Sequence, residues 1–198
     1  MQDSWNARYS AAEFIYGTEP NQFLKYELSK IVPGKILFLG EGEGRNAVYA
    51  ATLGWDVDAV DYSSSGKAKA EILAVEKNVK ISYSVEDLSI YIPKQNYYDV
   101  VVLIYLHLEE ELRERVHQNA LMSLNPGGKI IFEAFEKEQL KNDSGGPKNM
   151  ELLYSLQDII EDFICLEFEK LSKEIIELNE GEYHKGKAVV IRFTGKKV

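Results

Sequence analysis

Apolar positions in this chain fall into short, dense runs separated by amphipathic stretches. Ile36–Leu39 is such a run, introduced by Pro33-Gly34 and read as a strand buried on both faces. Trp55–Asp61, Val79–Ser84, Tyr97–Ile104 and Gly128–Ala134 repeat the pattern, and Val100–Ile104 is unbroken, as at a sheet centre. Helical spacing fills the gaps. Phe23, Leu24, Leu28 and Ile31 mark a helix that starts near Pro20 and ends before Pro33. Ala47, Ala50 and Ala51 give a slim helix, Ser63–Ser65 offer N-caps for another running to about Lys77, and Leu112, Val116, Ala120 and Leu124 form a stripe over Glu109–Leu124. Ser155 caps a short helix to about Asp162. Leu166–Leu178, a turn at Asn179-Glu180-Gly181 and Lys187–Thr194 read as a closing antiparallel pair. This order predicts one α/β domain over residues 1–198, with a mostly parallel seven-stranded sheet, one antiparallel strand at its edge and helices on both faces.

Within that domain, residues 1–32 form an aromatic and helical segment, 33–135 a ligand-binding core, and 136–198 a polar loop, a helix and the terminal hairpin. The loop from Glu136 to Asn149, with Gly145-Gly146-Pro147, is long for a plain connection and reads as a lid, with Lys148 a candidate cation for an anionic substrate group.

The stretch Gly40-Glu41-Gly42-Glu43-Gly44-Arg45-Asn46 carries the chemistry. Strand, glycine turn and helix follow in the order a nucleotide-type cofactor needs, since glycine takes positive φ and admits a ligand close to the backbone. Asp61 ends the next strand 21 positions after Gly40, where a carboxylate can accept both hydroxyls of an adenosine ribose. The dinucleotide fingerprint requires a glycine where Arg45 stands, and Glu41 and Glu43 would repel a pyrophosphate at the helix N-terminus. S-adenosylmethionine fits better: it has no phosphate, its sulfur is cationic, and Glu41 can pair with its ammonium. Tyr62 can lay its ring on the adenine. Tyr105 and His107 stand at the carboxyl end of a central strand, where open α/β sheets hold ligands.

Composition narrows the class. The 198 residues are 45% hydrophobic and 28% charged, as in globular proteins, and the net charge of −9 argues against wrapping nucleic acid. The single cysteine, Cys165, excludes an internal disulfide and, among Phe163, Ile164 and Leu166, reads as a buried thiol. Met1–Ser4 lacks the charged and apolar regions of a signal peptide and no run approaches a membrane span, so a cytoplasmic, non-membrane protein is expected. The phosphate loop, C-x-x-C, H-E-x-x-H and G-x-S-x-G patterns are all missing from the sequence.

With the glycine loop, Asp61 and the later Leu124-Asn125-Pro126-Gly127-Gly128 turn, the sequence resembles the class I S-adenosylmethionine-dependent methyltransferases, which have a Rossmann-like fold. Gly42–Val48, Trp5–Tyr9, Phe14–Gly17, Gly145–Lys148 and Leu152–Tyr154 make it similar to the tellurite-resistance-related subgroup. One departure is Phe38, where the superfamily usually has an acid. The resemblance implies S-adenosylmethionine as cofactor, bound by Gly40, Glu41, Gly42, Gly44, Asn46, Asp61, Tyr62, Ser63, Asp87, Leu88 and Tyr105. It implies a substrate or lid role for Trp5, Arg8, Tyr9, Tyr16, Lys148 and His184. The acceptor is expected to be a small molecule, a thiol or a tellurite- or selenite-like species. A soft nucleophile needs no base, whereas a hydroxyl or ammonium nucleophile would draw on His107. His117 is expected at the surface, no metal is expected, and the chain is expected as monomer or homodimer. Two alternatives stand beside this: a non-catalytic protein that binds the cofactor, and an NAD-dependent oxidoreductase.

Overall fold

The computed structural model describes residues 2–198, with side chains from Trp5 onward. Met1 and the side chains of Gln2–Ser4, on which part of the leader expectation rests, lie outside the described residues. In chain order the elements are α1 (Gln2–Tyr9), α2 (Gln22–Leu28), β1 (Lys35–Leu39), α3 (Arg45–Thr52), β2 (Asp56–Asp61), α4 (Ser64–Glu76) and β3 (Ser82–Val85). They continue with β4 (Tyr98–Ile104), α5 (Glu110–Ser123), β5 (Leu124–Phe135), α6 (Leu156–Phe163), β6 (Leu166–Asn179) and β7 (Lys185–Lys197). Two short 3₁₀ turns, Lys137–Lys141 and Met150–Leu152, order the long loop before α6.

The seven strands form one sheet in the order β3-β2-β1-β4-β5-β7-β6. Strands β1 to β5 are mutually parallel, and β7 pairs antiparallel with both β5 and β6. The single reversed strand is therefore β7, one place in from the edge, and β6 outside it runs with the majority. The order reverses between β1 and β4, which places the carboxyl ends of these two strands at the switch point where such sheets bind ligands.

Alternation along the strands divides the core. Leu37, Leu39, Val101, Leu103 and Phe132 face the side covered by α5 and α6, packing with Val116, Ala120 and Phe163. Ile36, Phe38, Val100 and Val102 face the side of α2 and α3, with Phe23, Leu24 and Ala47. Phe38 is thus 1% exposed inside an apolar layer. Its aromatic ring belongs to the packing, and an acid there would be buried among apolar side chains.

Two expectations are corrected. His117 is 1% exposed: α6 covers its face, its Nδ1 lies 2.7 Å from Asp162 Oδ2, and its ring stacks on Phe163. Arg113 donates from Nε to the same Asp162 oxygen at 2.8 Å, so one carboxylate holds α5 to α6. Cys165 is exposed, because it falls between the last turn of α6 and the first inward residue of β6, Leu166. No helix among the described residues is long and apolar enough to cross a membrane. Cys165→Ser should therefore change the unfolding free energy by no more than about 0.5 kcal/mol, and the native thiol should react with a maleimide at the rate of an exposed cysteine. A buried thiol would resist the reagent until unfolding.

Candidate functional site

The loop between β1 and α3 turns sharply, with Gly40, Gly42 and Gly44 all in the left-handed region at φ 70°, 65° and 87°. Their missing side chains serve different neighbours. A Cβ on Gly44 would lie 2.4 Å from Ala70 Cβ, so this glycine lets α4 pack against the loop. At Gly42 the space is taken by the Tyr9 hydroxyl, 2.7 Å from where a Cβ would stand. The expectation that these glycines only make room for a ligand is therefore incomplete: α1 and α4 fill part of that room.

Acids hold the loop in shape. Asp61, at the carboxyl end of β2, accepts from Gly42 N at 3.0 Å and from Ser63 N at 2.9 Å, which fixes the loop against the second strand. Ser63 is spent as the N-cap of α4, accepting from Gly66 N and donating to Asn6 Oδ1. Glu41 Oε1 accepts from the amides of Asn46 and Ala47 at 3.0 and 2.8 Å, so it caps α3, whose own N-cap, Gly44, has no side chain. Burial pushes the Glu41 carboxyl up to about 8, against these two amides and the charge of Arg45. Burial likewise raises Asp61. Folded Glu41 keeps its proton up to about 8 while the unfolded group loses it near 4.5. Its contribution to stability therefore falls as pH rises through that window.

Glu43, read in the sequence only as an obstacle to pyrophosphate, is the anchor of the N-terminal segment. It is 4% exposed, receives Ile15 N and Tyr16 N on its two oxygens, and pairs with Lys69 of α4 at 2.6 Å. Arg45, the residue that breaks the dinucleotide pattern, is 7% exposed and pairs with Glu180 of the terminal hairpin at 2.8 Å. Asn46 Oδ1 accepts from Asn21 N at 2.9 Å, so its side chain ties α3 to the segment before α2. No local motif signals these pairings, because their partners are far apart in sequence.

The far wall follows β3 and β4. Tyr62 is half-buried next to Asp61, and the charges of Asp61 and Asp87 reinforce the burial that raises its phenol. Asp87 is exposed and accepts from Ser89 N at 2.7 Å, closing a turn that presents Leu88 to the core at β4 and α5. Tyr105 ends β4 in the left-handed region at φ 53°, unusual for a bulky side chain, and donates its amide to Glu133 O at 2.7 Å. The turn sends its ring onto Phe135 and His184 and lets Leu106 close over Gly40, where a Cβ would lie 2.6 Å from Leu106 Cδ1.

Most of the expected lid residues meet. Trp5 packs on Tyr9, Tyr9 on Tyr16 and Tyr16 on His184, with ring centroids 5.4, 6.5 and 4.5 Å apart. Arg8 lies over Trp5 and donates to the Tyr16 hydroxyl. His184 is 5% exposed, and its Nδ1, without a hydrogen bond, faces Glu180 at 3.6 Å. Lys148 lies elsewhere, on an exposed loop where it donates to Asn142 O and Asp143. It is occupied in closing its own loop.

His107 is placed at the sheet edge as expected, but its chemistry is used up. Nδ1 lies 2.7 Å from Leu152 O, Nε2 lies 3.4 Å from Phe135 N, and the ring is stacked between Phe135 and Tyr154. Burial first, and the neighbouring His184 second, push it down to about 4. A neutral imidazole with both nitrogens on the backbone is a clamp between β4 and the 3₁₀ turn, which corrects its assignment as the base.

A model of the tellurite resistance protein TehB family matches residues 20–194. The chain belongs to the TehB family. A probable S-adenosyl-L-methionine-dependent methyltransferase TehB of Haemophilus influenzae is 29% identical over 110 residues, 54% of this chain and 38% of that protein. The match thus spans well under half of that relative. Among solved structures, TehB from H. influenzae superposes with TM-score 0.75 at 21% identity, over 100% of this chain and 67% of that one. The N-methyltransferase NodS of Bradyrhizobium japonicum in complex with S-adenosyl-L-homocysteine gives 0.77 at 13% identity, over 99% and 97%. The α/β methyltransferase-like fold is shared across both. Among the described residues, no cluster of His, Cys, Asp and Glu could hold a metal.

The residues at the TehB-type loop fit S-adenosylmethionine. The Glu41 carboxyl, pushed up to about 8 by burial despite two amides and the charge of Arg45, would be favoured as a carboxylate by an amino-acid ammonium, and Asp61 stands one strand away for a ribose. His107→Ala should lower the thermal midpoint by several degrees, reflecting a loss of about 1–3 kcal/mol, while leaving the affinity for S-adenosylhomocysteine within about twofold. A wild-type melting curve would remove the clamp.

Proposed function

We propose that the chain transfers a methyl group from S-adenosylmethionine to a small-molecule acceptor that reacts as a soft nucleophile, a thiol or a reduced tellurium or selenium species. The observation that carries this is the glycine loop itself, in which burial pushes the Glu41 carboxyl up to about 8 at the start of α3 and Asp61, at the end of β2, holds the Gly42 amide. A pyrophosphate would meet Glu41 at the N-terminus of α3, whose first amides that side chain already takes, whereas an ammonium can pair with it. Family membership and the methyltransferase relatives support the same reading.

In this account Glu41 holds the amino-acid end of the cofactor, Asp61 the ribose, and Tyr62 with Leu88 the adenine. When bound, the cofactor supplies an electrophilic methyl group on a cationic sulfur. The chain's own task is then orientation and exclusion of water. Leu106 and Tyr105 floor the reacting end. The segment carrying Trp5, Tyr9 and Tyr16, tied down by Glu43, covers it. His107, locked on two backbone groups, supports an acceptor that needs no base from it.

Transfer of labelled methyl from S-adenosylmethionine to a panel of thiols and to selenite and tellurite under reducing conditions tests the reaction. Turnover with one of them is expected, and cofactor binding with no transfer to any of them would contradict it. Asp61→Ala should weaken cofactor binding by about 1–3 kcal/mol. Pairing with an ammonium lowers the Glu41 carboxyl from about 8, so binding at pH 7 should release a fraction of a proton. Calorimetry in buffers of different ionisation enthalpy reads that release, and Glu41→Gln should abolish it. Proton release unchanged in the variant would take Glu41 out of the site.

A further inference from the structure

Three arginines of the chain are spent on carboxylates: Arg45 on Glu180, Arg113 on Asp162, and Arg192 on Glu133 and Glu174. Arg8 is different. It stands exposed in the last turn of α1, on the segment that covers the proposed site, and has no carboxylate partner among the described residues.

Its surroundings are aromatic. The guanidinium carbon lies 4.4 Å from the centre of the Trp5 ring and 5.7 Å from that of Tyr183, in the turn between β6 and β7. Nη1 donates to the Tyr16 hydroxyl at 3.1 Å, a neutral acceptor that leaves the charge uncancelled. A guanidinium resting on rings is weakly hydrated, and its N–H fork points in a fixed direction. Those are the properties that recognition of a carboxylate or an oxyanion requires.

The same charge reaches into the site. The Tyr16 ring lies 4.5 Å from His184, and His184 lies 4.6 Å from Tyr105 at the end of β4. Burial raises the phenol of Tyr16, and Arg8 opposes it. Burial lowers His184, and the charges of Arg45 and Arg8 add to that, so the imidazole beside them is neutral and does not compete for an anion. Two acids beside this path are answered from elsewhere, Glu43 by Lys69 and Glu180 by Arg45. An anion that enters beneath Tyr16 therefore meets one uncommitted cation, Arg8.

We infer that Arg8 is a specificity-determining residue that pairs with an anionic group of the methyl acceptor, a carboxylate or an oxyanion, where α1 meets the terminal hairpin. The inference rests on the methyltransferase reading for the acceptor, and on the surroundings of Arg8 alone for the anion.

Four probes test it. Mercaptopropionate, mercaptoethanol and cysteamine differ only in the group remote from sulfur, and selenite is an oxyanion with no carbon frame. Each is titrated into the protein, with and without S-adenosylhomocysteine, and followed by tryptophan emission. Trp5 lies against the guanidinium and reads its occupation, whereas Trp55 is 4% exposed. Mercaptopropionate should bind about three- to tenfold more tightly than mercaptoethanol, with cysteamine weakest. Selenite binding without that order among the thiols would assign the position to oxyanions and support the inference equally. Arg8→Met, which keeps the aliphatic stem, should bring the thiols to about equal affinity and abolish selenite binding, while S-adenosylhomocysteine affinity stays within about twofold. Arg8→Lys should restore part of the preference. A residue that only held α1 to the hairpin would lower the melting point of Arg8→Met and leave the order of the probes as it was. That result, equal binding of the thiols with no selenite binding, tightest binding of cysteamine, or no binding of any probe at millimolar concentration would overturn the inference. Failure of S-adenosylhomocysteine to bind, with the Arg8-dependent anion preference intact, would instead overturn the methyltransferase reading and leave the anion site.

Discussion

The carboxylate of Glu43 is the point at which three parts of the chain are joined. It lies in the glycine loop, pairs with Lys69 on α4, and receives the amides of Ile15 and Tyr16 from the N-terminal segment. Taking such a charge out of water is costly, and it is sustained here because every neighbour is a donor. Removing one partner of a buried pair typically costs about 3–5 kcal/mol. This carboxylate fixes the backbone at Ile15 and Tyr16, whose ring reaches His184, while Asn6 on Ser63 holds α1, with Tyr9 against Gly42, to the start of α4.

A second set of charges connects the loop to the opposite end of the sheet. Arg45 reaches Glu180, Asn46 reaches Asn21, and Asn21 reaches Glu133 and Glu180. The reversed strand β7 supplies Arg192 to the same network. Hence the hairpin at the chain's end, remote in sequence from the loop, forms one side of the site.

Much of the fold was legible because strand and helix periods are local. Val100–Ile104 and the glycine turn announce a central strand and its ligand edge without any knowledge of partners. Asp61 was legible for the same reason: its place follows from strand length. Long-range pairing was not legible. Glu41 and Glu43 both read as acids that would repel a pyrophosphate, with Glu41 alone set to pair with an ammonium, yet one caps α3 and the other holds a segment some 27 residues earlier. His117 stood off the apolar stripe of its helix, and only the arrival of α6 buries it. Cys165 had apolar neighbours, but the end of a helix and the start of a strand meet there, and its side chain faces out. His107 occupied the right place with the wrong freedom, because Leu152 and Phe135 occupy both nitrogens.

The central claim is that the glycine loop, with Glu41 at the start of α3 and Asp61 beside it, selects a nucleoside carrying an amino-acid ammonium over a dinucleotide. Parallel calorimetric titration of the protein with S-adenosylmethionine, S-adenosylhomocysteine and NAD tests it most directly. The account predicts micromolar binding of the first two and none of NAD. Preference for NAD, or indifference among the three, would contradict it.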